Sequence, residues 1–203
     1  MITRSLGLMV GLVFLAGTVP MASSASLYYS DGPWKGMIID AETKEAIEGA
    51  VVLAVWQKIY PGLTGNFSYF FDSVESVTDR NGQFFIKEFR AINILPILRW
   101  LDGPWFTVFK PGYTPFGDNY DYFHRYFPNS PLKVDRITLA EQFKQGVTIE
   151  LLRLKTREER LRAISGARPL GGVPENKMPA LMKLINVEER ELGLDPIPLK
   201  EGK

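Results

Sequence analysis

From residue 33 to residue 154 apolar positions recur with the two-residue period of β-strands, broken at intervals by Gly, Pro, Asn and Asp. Strands are expected at 35–40, 49–59, about 72–78, 83–89, 105–110, 113–116 and 147–154. The second is apolar on both faces: Val51, Leu53 and Val55 on one, Ala50, Val52, Ala54 and Trp56 on the other. Such a strand belongs in the middle of the molecule, covered on both sides. Asp79-Arg80-Asn81-Gly82 reads as a hairpin turn, since Asn-Gly accepts the positive φ of the primed turns. About seven short strands separated by Gly/Pro turns predict an all-β sandwich.

Two stretches depart from the pattern. Residues 60–71 read as an aromatic loop, and 91–102, which contains Pro96, as a packed loop or short helix. With 114–146 they form three insertions, at 60–71, 90–103 and 114–146, in a domain spanning 33–154. The tail, 155–203, turns helical and charged. Thr156 and Glu159 make a capping box that opens one helix, with Leu161 and Ile164 as a narrow apolar stripe. After a linker at 166–174, Pro179 opens a second helix and Gly193 ends it. Leu181, Leu184, Ile185 and Glu188 share its spacing, so this face must lie on the sheet or dock on a partner.

The first 25 residues stand apart. Arg4 precedes an apolar run from Leu6 to Val19, Pro20 breaks it, and Ser23-Ser24-Ala25 offers small residues for cleavage. This is the plan of a secretory signal peptide, too short to span a bilayer well. Its removal takes one arginine and no acid, leaving the charges balanced, so no spanning segment is expected in the mature chain. With 24 basic and 23 acidic residues there is no electrostatic call for nucleic acid. Cysteine is absent, which closes disulfides, thiolate metal sites and a Cys nucleophile. A secreted chain without disulfides fits a bacterial periplasm or exterior.

Three blocks resemble carboxypeptidase regulatory-like domains, which are transthyretin-like sandwiches. Gly36-Met-Ile-Ile-Asp40 with Thr43, Ile47, Gly49-Ala50 and Val52 is similar to the family's opening; Thr78-Asp79-x-x-Gly82-x-Phe84 to its hairpin; Val108-x-Lys110-x-Gly112-Tyr113 to its Gly-Tyr signature. Lys44 departs from it, standing where the family has Gly, and Ala46 where it often has Pro. The resemblance implies an immunoglobulin-like or transthyretin-like sandwich. In it Asp40 and Thr43 bond turn amides, and the Tyr113 hydroxyl reaches a backbone group as in a tyrosine corner.

Candidate chemistry is sparse. His124 is the one histidine, so the two-His-one-Glu zinc set of metal-dependent carboxypeptidases cannot be built, nor the two-Tyr, two-His iron set of intradiol dioxygenases. No phosphate loop or nucleophile elbow is present. No cofactor, metal or catalytic residue is expected; a hydrolase centred on His124 is the least favoured reading. Residues 113–127 combine seven aromatic rings with Asp118, Asp121, His124 and Arg125. Tyr120, Tyr122, Phe123, His124 and Arg125 are therefore the candidate binding residues, suited to a protein interface or to sugar stacking. The expectation is a non-catalytic envelope or secreted module that engages a protein partner through loops or tail helices. The alternative is a carbohydrate-binding accessory domain using the 113–127 loop.

Overall fold

The structure, a computed structural model, describes residues 27–94, 98–117, 136–169 and 172–196. Nine strands lie in these residues: β1 (Tyr28–Asp31), β2 (Trp34–Asp40), β3 (Val51–Gly62), β4 (Gly65–Val77), β5 (Gln83–Ile86), β6 (Phe89–Ile92), β7 (Trp100–Phe109), β8 (Phe116–Gly117) and β9 (Val147–Leu151). Three helices accompany them: α1 (Arg136–Gln145), α2 (Arg157–Ala167) and α3 (Pro179–Glu191), with a 3₁₀ turn at Glu175–Lys177. The fold is an all-β sandwich with a C-terminal helical extension. One sheet has the order β5-β2-β9, the other β4-β3-β7-β8, and β1 pairs with β6 in a small third sheet.

The core follows from the two-faced pattern of β3. Val52, Ala54 and Trp56 point inward with Phe106 and Val108 of β7. They meet Trp34, Ile38, Phe84, Ile86, Ile149 and Leu151 from the opposite sheet. Phe143 of α1 closes this layer, stacked on Phe106 with ring centroids 4.1 Å apart. On the other face Val51, Leu53 and Val55 join Phe109 and are covered by Ile164 and Ala167 of α2 and by Leu181, Met182 and Ile185 of α3. The apolar faces of the tail helices therefore lie on the sheet. A helix of 13 residues is marginal alone in water. Burying side chains such as these, at about 1.5–3 kcal/mol each, stabilises it.

Local signals operate as expected in the tail. The Thr156 hydroxyl accepts from the Glu159 amide and the Glu159 carboxylate accepts from the Thr156 amide. Pro179 stands at the start of α3, and Gly193 follows it at φ +72°. Glu188, expected on the buried face of α3, is fully buried. Its two oxygens accept from Nε and Nη2 of Arg160, both at 2.7 Å, and one also accepts from the Gly112 amide at 3.0 Å.

The structure departs from the expected elements in four places. Among the described residues there are nine strands rather than about seven, because the short β1 and β6, one ahead of the expected first strand and the other at the end of the 83–89 segment, pair with each other. Residues 60–71 form no loop: β3 and β4 continue through them, with Leu63 and Thr64 as a two-residue turn and Gly62 opposite Gly65. The 91–102 stretch supplies the end of β6 and the start of β7, while 95–97 lie outside the described residues. The 79–82 turn is tight, with the Gly82 amide donating to Asp79 O at 2.9 Å. Gly82 has φ +70° and a Cβ there would stand 2.4 Å from Ile38 O. Yet its arms part: β4 stays with β3, and β5 crosses to pair with β2. Turn chemistry sets the reversal, and burial of Phe84 and Ile86 sets which sheet receives the strand.

Two stability outcomes follow. Arg160→Met strands a buried Glu188 carboxylate and lowers unfolding free energy by about 3 kcal/mol in denaturant titration. Lys44 holds φ +63°, where a side chain costs roughly 1 kcal/mol. Its exposed ion pair with Glu150 at 2.8 Å returns less than that. Lys44→Gly therefore raises stability by about 0.5 kcal/mol, net of the entropy glycine brings.

Candidate interaction surface

The hairpin formed by β3 and β4 outruns the sandwich. β7 stays alongside β3 as far as Ile59, past a register irregularity at Trp56/Gln57 where Phe71 of β4 has no partner. Beyond the irregularity Lys58 pairs with Tyr69, Ile59 with Ser68 and Tyr60 with Phe67. Phe71 packs toward the inner core and Phe70 toward the helical layer, but Phe67 and Tyr69 are exposed and Leu63, at the tip, is fully so. Lys58 Nζ sits 4.1 Å from the centre of the Phe71 ring, and Tyr60 and Tyr69 meet edge to face at 5.5 Å.

Hydrogen bonds tie this hairpin to the small sheet. Arg99 Nη1 donates to the Tyr60 hydroxyl at 3.3 Å. Asn93 Nδ2 donates to Arg99 O at 2.8 Å, and the Asn93 amide to Leu27 O at 2.8 Å. The exposed Leu27, Tyr28, Ile92, Ile94, Leu98 and Trp100 accordingly belong to the same end of the molecule as Leu63, Phe67 and Tyr69. Among the described residues, three further large exposed apolar side chains lie elsewhere: Val77, Phe85 and Leu194. No charged residue occurs from Ile59 to Phe71. Apolar surface gathered in this way is the candidate interaction surface.

A second cluster forms where the first and third family-like blocks meet. Asp40 Oδ1 accepts from the Glu42 and Thr43 amides at 2.8 and 3.1 Å. The Tyr113 hydroxyl donates to Asp40 Oδ2 at 3.1 Å, and Arg153 Nη2 donates to the Tyr113 oxygen at 2.7 Å. The tyrosine thus reaches a carboxylate rather than the backbone group expected of a tyrosine corner, because Asp40 turns its second oxygen toward it. Burial pushes the Asp40 carboxyl up, but the two amides, Tyr113 and Arg153 together hold it below its ordinary range. Burial and the neighbouring Asp40 raise the Tyr113 hydroxyl.

Beside this cluster runs a groove of about 490 Å³, lined by Lys110, Tyr113, Arg153, Arg160 and Glu191 among others. Its cations are engaged: Lys110 donates to Glu48 O, and Arg160 binds Glu188 and Glu191. Among the described residues no group of three or more His, Cys, Asp or Glu is placed to hold a metal ion.

Tyr120, Tyr122, Phe123, His124 and Arg125 lie outside the described residues. Two other rings of that segment are placed: Tyr113 in the Asp40 cluster and Phe116 against the inner core. Residues 60–71 are one of the loops expected to make contact, beside 113–127 and the tail helices, though none of their side chains is among the candidate binding residues. The charge-free run from Ile59 to Phe71 was the available signal, obscured by Pro61, Gly62 and Gly65, which resemble loop punctuation. Comparison with protein-family models, curated proteins and solved structures returned no match. Among the described residues no helix is long and apolar enough to cross a membrane.

Asp40 carries the pH prediction. A carboxylate with a depressed folded value stabilises above its ordinary 3.8, and that stability is lost as pH falls through the folded value. Asp40→Asn should cost about 2 kcal/mol at neutral pH. In paired urea titrations the gap between variant and wild type should close below the ordinary value.

Proposed function

We propose that this protein is a non-catalytic module of the bacterial envelope or exterior that binds a protein partner through the end carrying the β3–β4 hairpin. The observation that carries the reading is the gathering at one end of nine of the twelve exposed large apolar side chains among the described residues. Leu63 at a two-residue turn is the protruding anchor, with Phe67, Tyr69 and Trp100 as aromatic contacts of the sort that dominate interface energies. The tail helices are the weaker candidate for contact, since their apolar faces already cover Val51, Leu53 and Val55.

The carboxypeptidase regulatory-like reading is part of the proposal. It is supported by Asp40 capping the turn amides, by the tight 79–82 turn, and by Lys44 holding a φ that suits the glycine of the family's turn. The signal-peptide pattern of residues 1–25 supports the compartment.

A photo-crosslinking amino acid at Leu63 in living cells tests the reading. It should give a discrete protein adduct. The same probe at Arg80, at the far end of the 13-residue β4 and roughly 40 Å away, should give none. Tyr69→Asp should abolish the Leu63 adduct while leaving the thermal midpoint within about 2 °C, as expected for an exposed position. No adduct from Leu63, or equal adducts from both sites, would refute the proposal.

A further inference from the structure

We infer that the partner of this end is a second copy of the same chain, joined by antiparallel pairing of two β4 edges over residues 65–71. The inference rests on the reading above that this end binds protein. β4 is an outer strand, and among the described residues its ladder is with β3 alone. Its second half is shielded. Ser73 Oγ donates to Lys177 O at 2.6 Å, Lys177 Nζ stands 3.3 Å from Asp72, and Glu75 accepts from the Ala180 and Leu181 amides. The tail thus covers β4 from Asp72 to Glu75. From Gly65 to Phe71 no described strand lies on the outer edge of β4, the side away from β3.

Natural sheets blunt an exposed edge with charge, proline, a bulge or a cover. The free stretch Gly-Asn-Phe-Ser-Tyr-Phe-Phe has no charge and no proline, and the bulge of the strand, at Phe71, falls at its end and leaves Gly65 to Phe70 in regular register. An identical antiparallel edge satisfies its backbone groups reciprocally about a two-fold axis. Nothing in the stretch sets like charges against each other at that axis. The whole chain, at +1, brings no long-range repulsion.

A lipid surface fits less well, since an open strand edge pushed into hydrocarbon leaves its amides and carbonyls unsatisfied. A stable interface takes roughly 800 Å² from each partner, and to it β4 and its turn bring Leu63, Phe67 and Tyr69, exposed by 108%, 52% and 60%.

The test is sedimentation of the full chain as its host processes it, together with cysteine scanning of a protein that has no cysteine of its own. Wild type should sediment as a dimer at low micromolar concentration. Phe67→Lys with Tyr69→Lys should weaken the dimer at least about 100-fold through like-charge apposition, with an unchanged thermal midpoint showing that both chains are folded. Single cysteines at Asn66, Phe67, Ser68 and Tyr69 should include one that self-links under mild oxidation, since facing residues in an antiparallel pair lie within disulfide reach. Arg80→Cys should not self-link. A wild type monomeric into the millimolar range, or a dimer untouched by the paired lysines, overturns the inference. If the chain is monomeric and the Leu63 adduct holds a different protein, the second-copy inference falls and the interaction reading stands; if neither dimer nor adduct forms, both fall.

Discussion

Strand β3 is apolar on both faces, and each layer of the molecule is arranged to cover one of them. The inner face, Val52, Ala54 and Trp56, calls for an opposing sheet, which β5, β2 and β9 provide. The outer face, Val51, Leu53 and Val55, would leave a hydrophobic patch on a simple two-sheet sandwich. The helices after residue 155 exist to close it. The tail is accordingly part of the fold. Its charged groups are placed for docking as well: Glu188, buried on α3, is neutralised by Arg160 from α2 and bonded to the Gly112 amide beyond β7. A buried carboxylate met by a partly exposed guanidinium and a backbone amide can be held without large cost, whereas the carboxylate alone cannot.

The same strand sets the limit of the core. Up to Trp56 it has a sheet on one side and helices on the other. Past the register irregularity β7 stays alongside only as far as Ile59, while the β3–β4 ladder goes on to Gly62. The apolar residues there, Tyr60, Phe67 and Tyr69, have the composition of core residues but only part of a core to enter. Arg99 and Lys58 lie over two of the rings, Tyr60 and Phe71, rather than ion-pairing across the hairpin. Continuous hydrogen bonding thus projects an aromatic surface on a stiff two-stranded arm, and stiffness lowers the entropy lost when such a surface binds.

Features legible in the sequence were those decided within a few residues. The capping box at Thr156 and Glu159, Pro179 and Gly193 around α3, the amides held by Asp40, and the reversal at 79–82 all depend on neighbours in the chain. The two-faced burial of β3 was legible because its alternation is long. Partner choice was not. That β5 joins β2, that β2 and β9 run parallel, and that β1 pairs with β6 are settled by which apolar sets meet, over separations no local pattern encodes. The hairpin end was hidden for a different reason: Pro61, Gly62 and Gly65 mark turns in most contexts, yet here only Leu63 and Thr64 turn. The aromatic segment from Tyr120 to Arg125 was chosen for composition, and composition cannot tell rings that cover a core from rings that meet a partner. Of that segment's neighbours, Phe116 covers the core.

Two carboxylates show how the sandwich and its tail differ in their response to acid. Asp40 and Glu75 each accept two backbone N–H groups. Burial raises both, yet Asp40 ends below its ordinary value and Glu75 above it. The difference is company. Asp40 also accepts from the Tyr113 hydroxyl and lies near Arg153, while the Leu181 and Ala180 amides are the opposing influence on Glu75. Folding therefore favours the charged form of Asp40 and the neutral form of Glu75. As pH falls, Asp40 loses stabilisation in passing through its depressed folded value. Glu75, with its value raised, contributes more at low pH and less as pH climbs past its ordinary value. Acid thus works first on the turn that joins β2 to the Tyr113 corner, and the seat of α3 on β4 is spared, keeping the upper β4 edge covered.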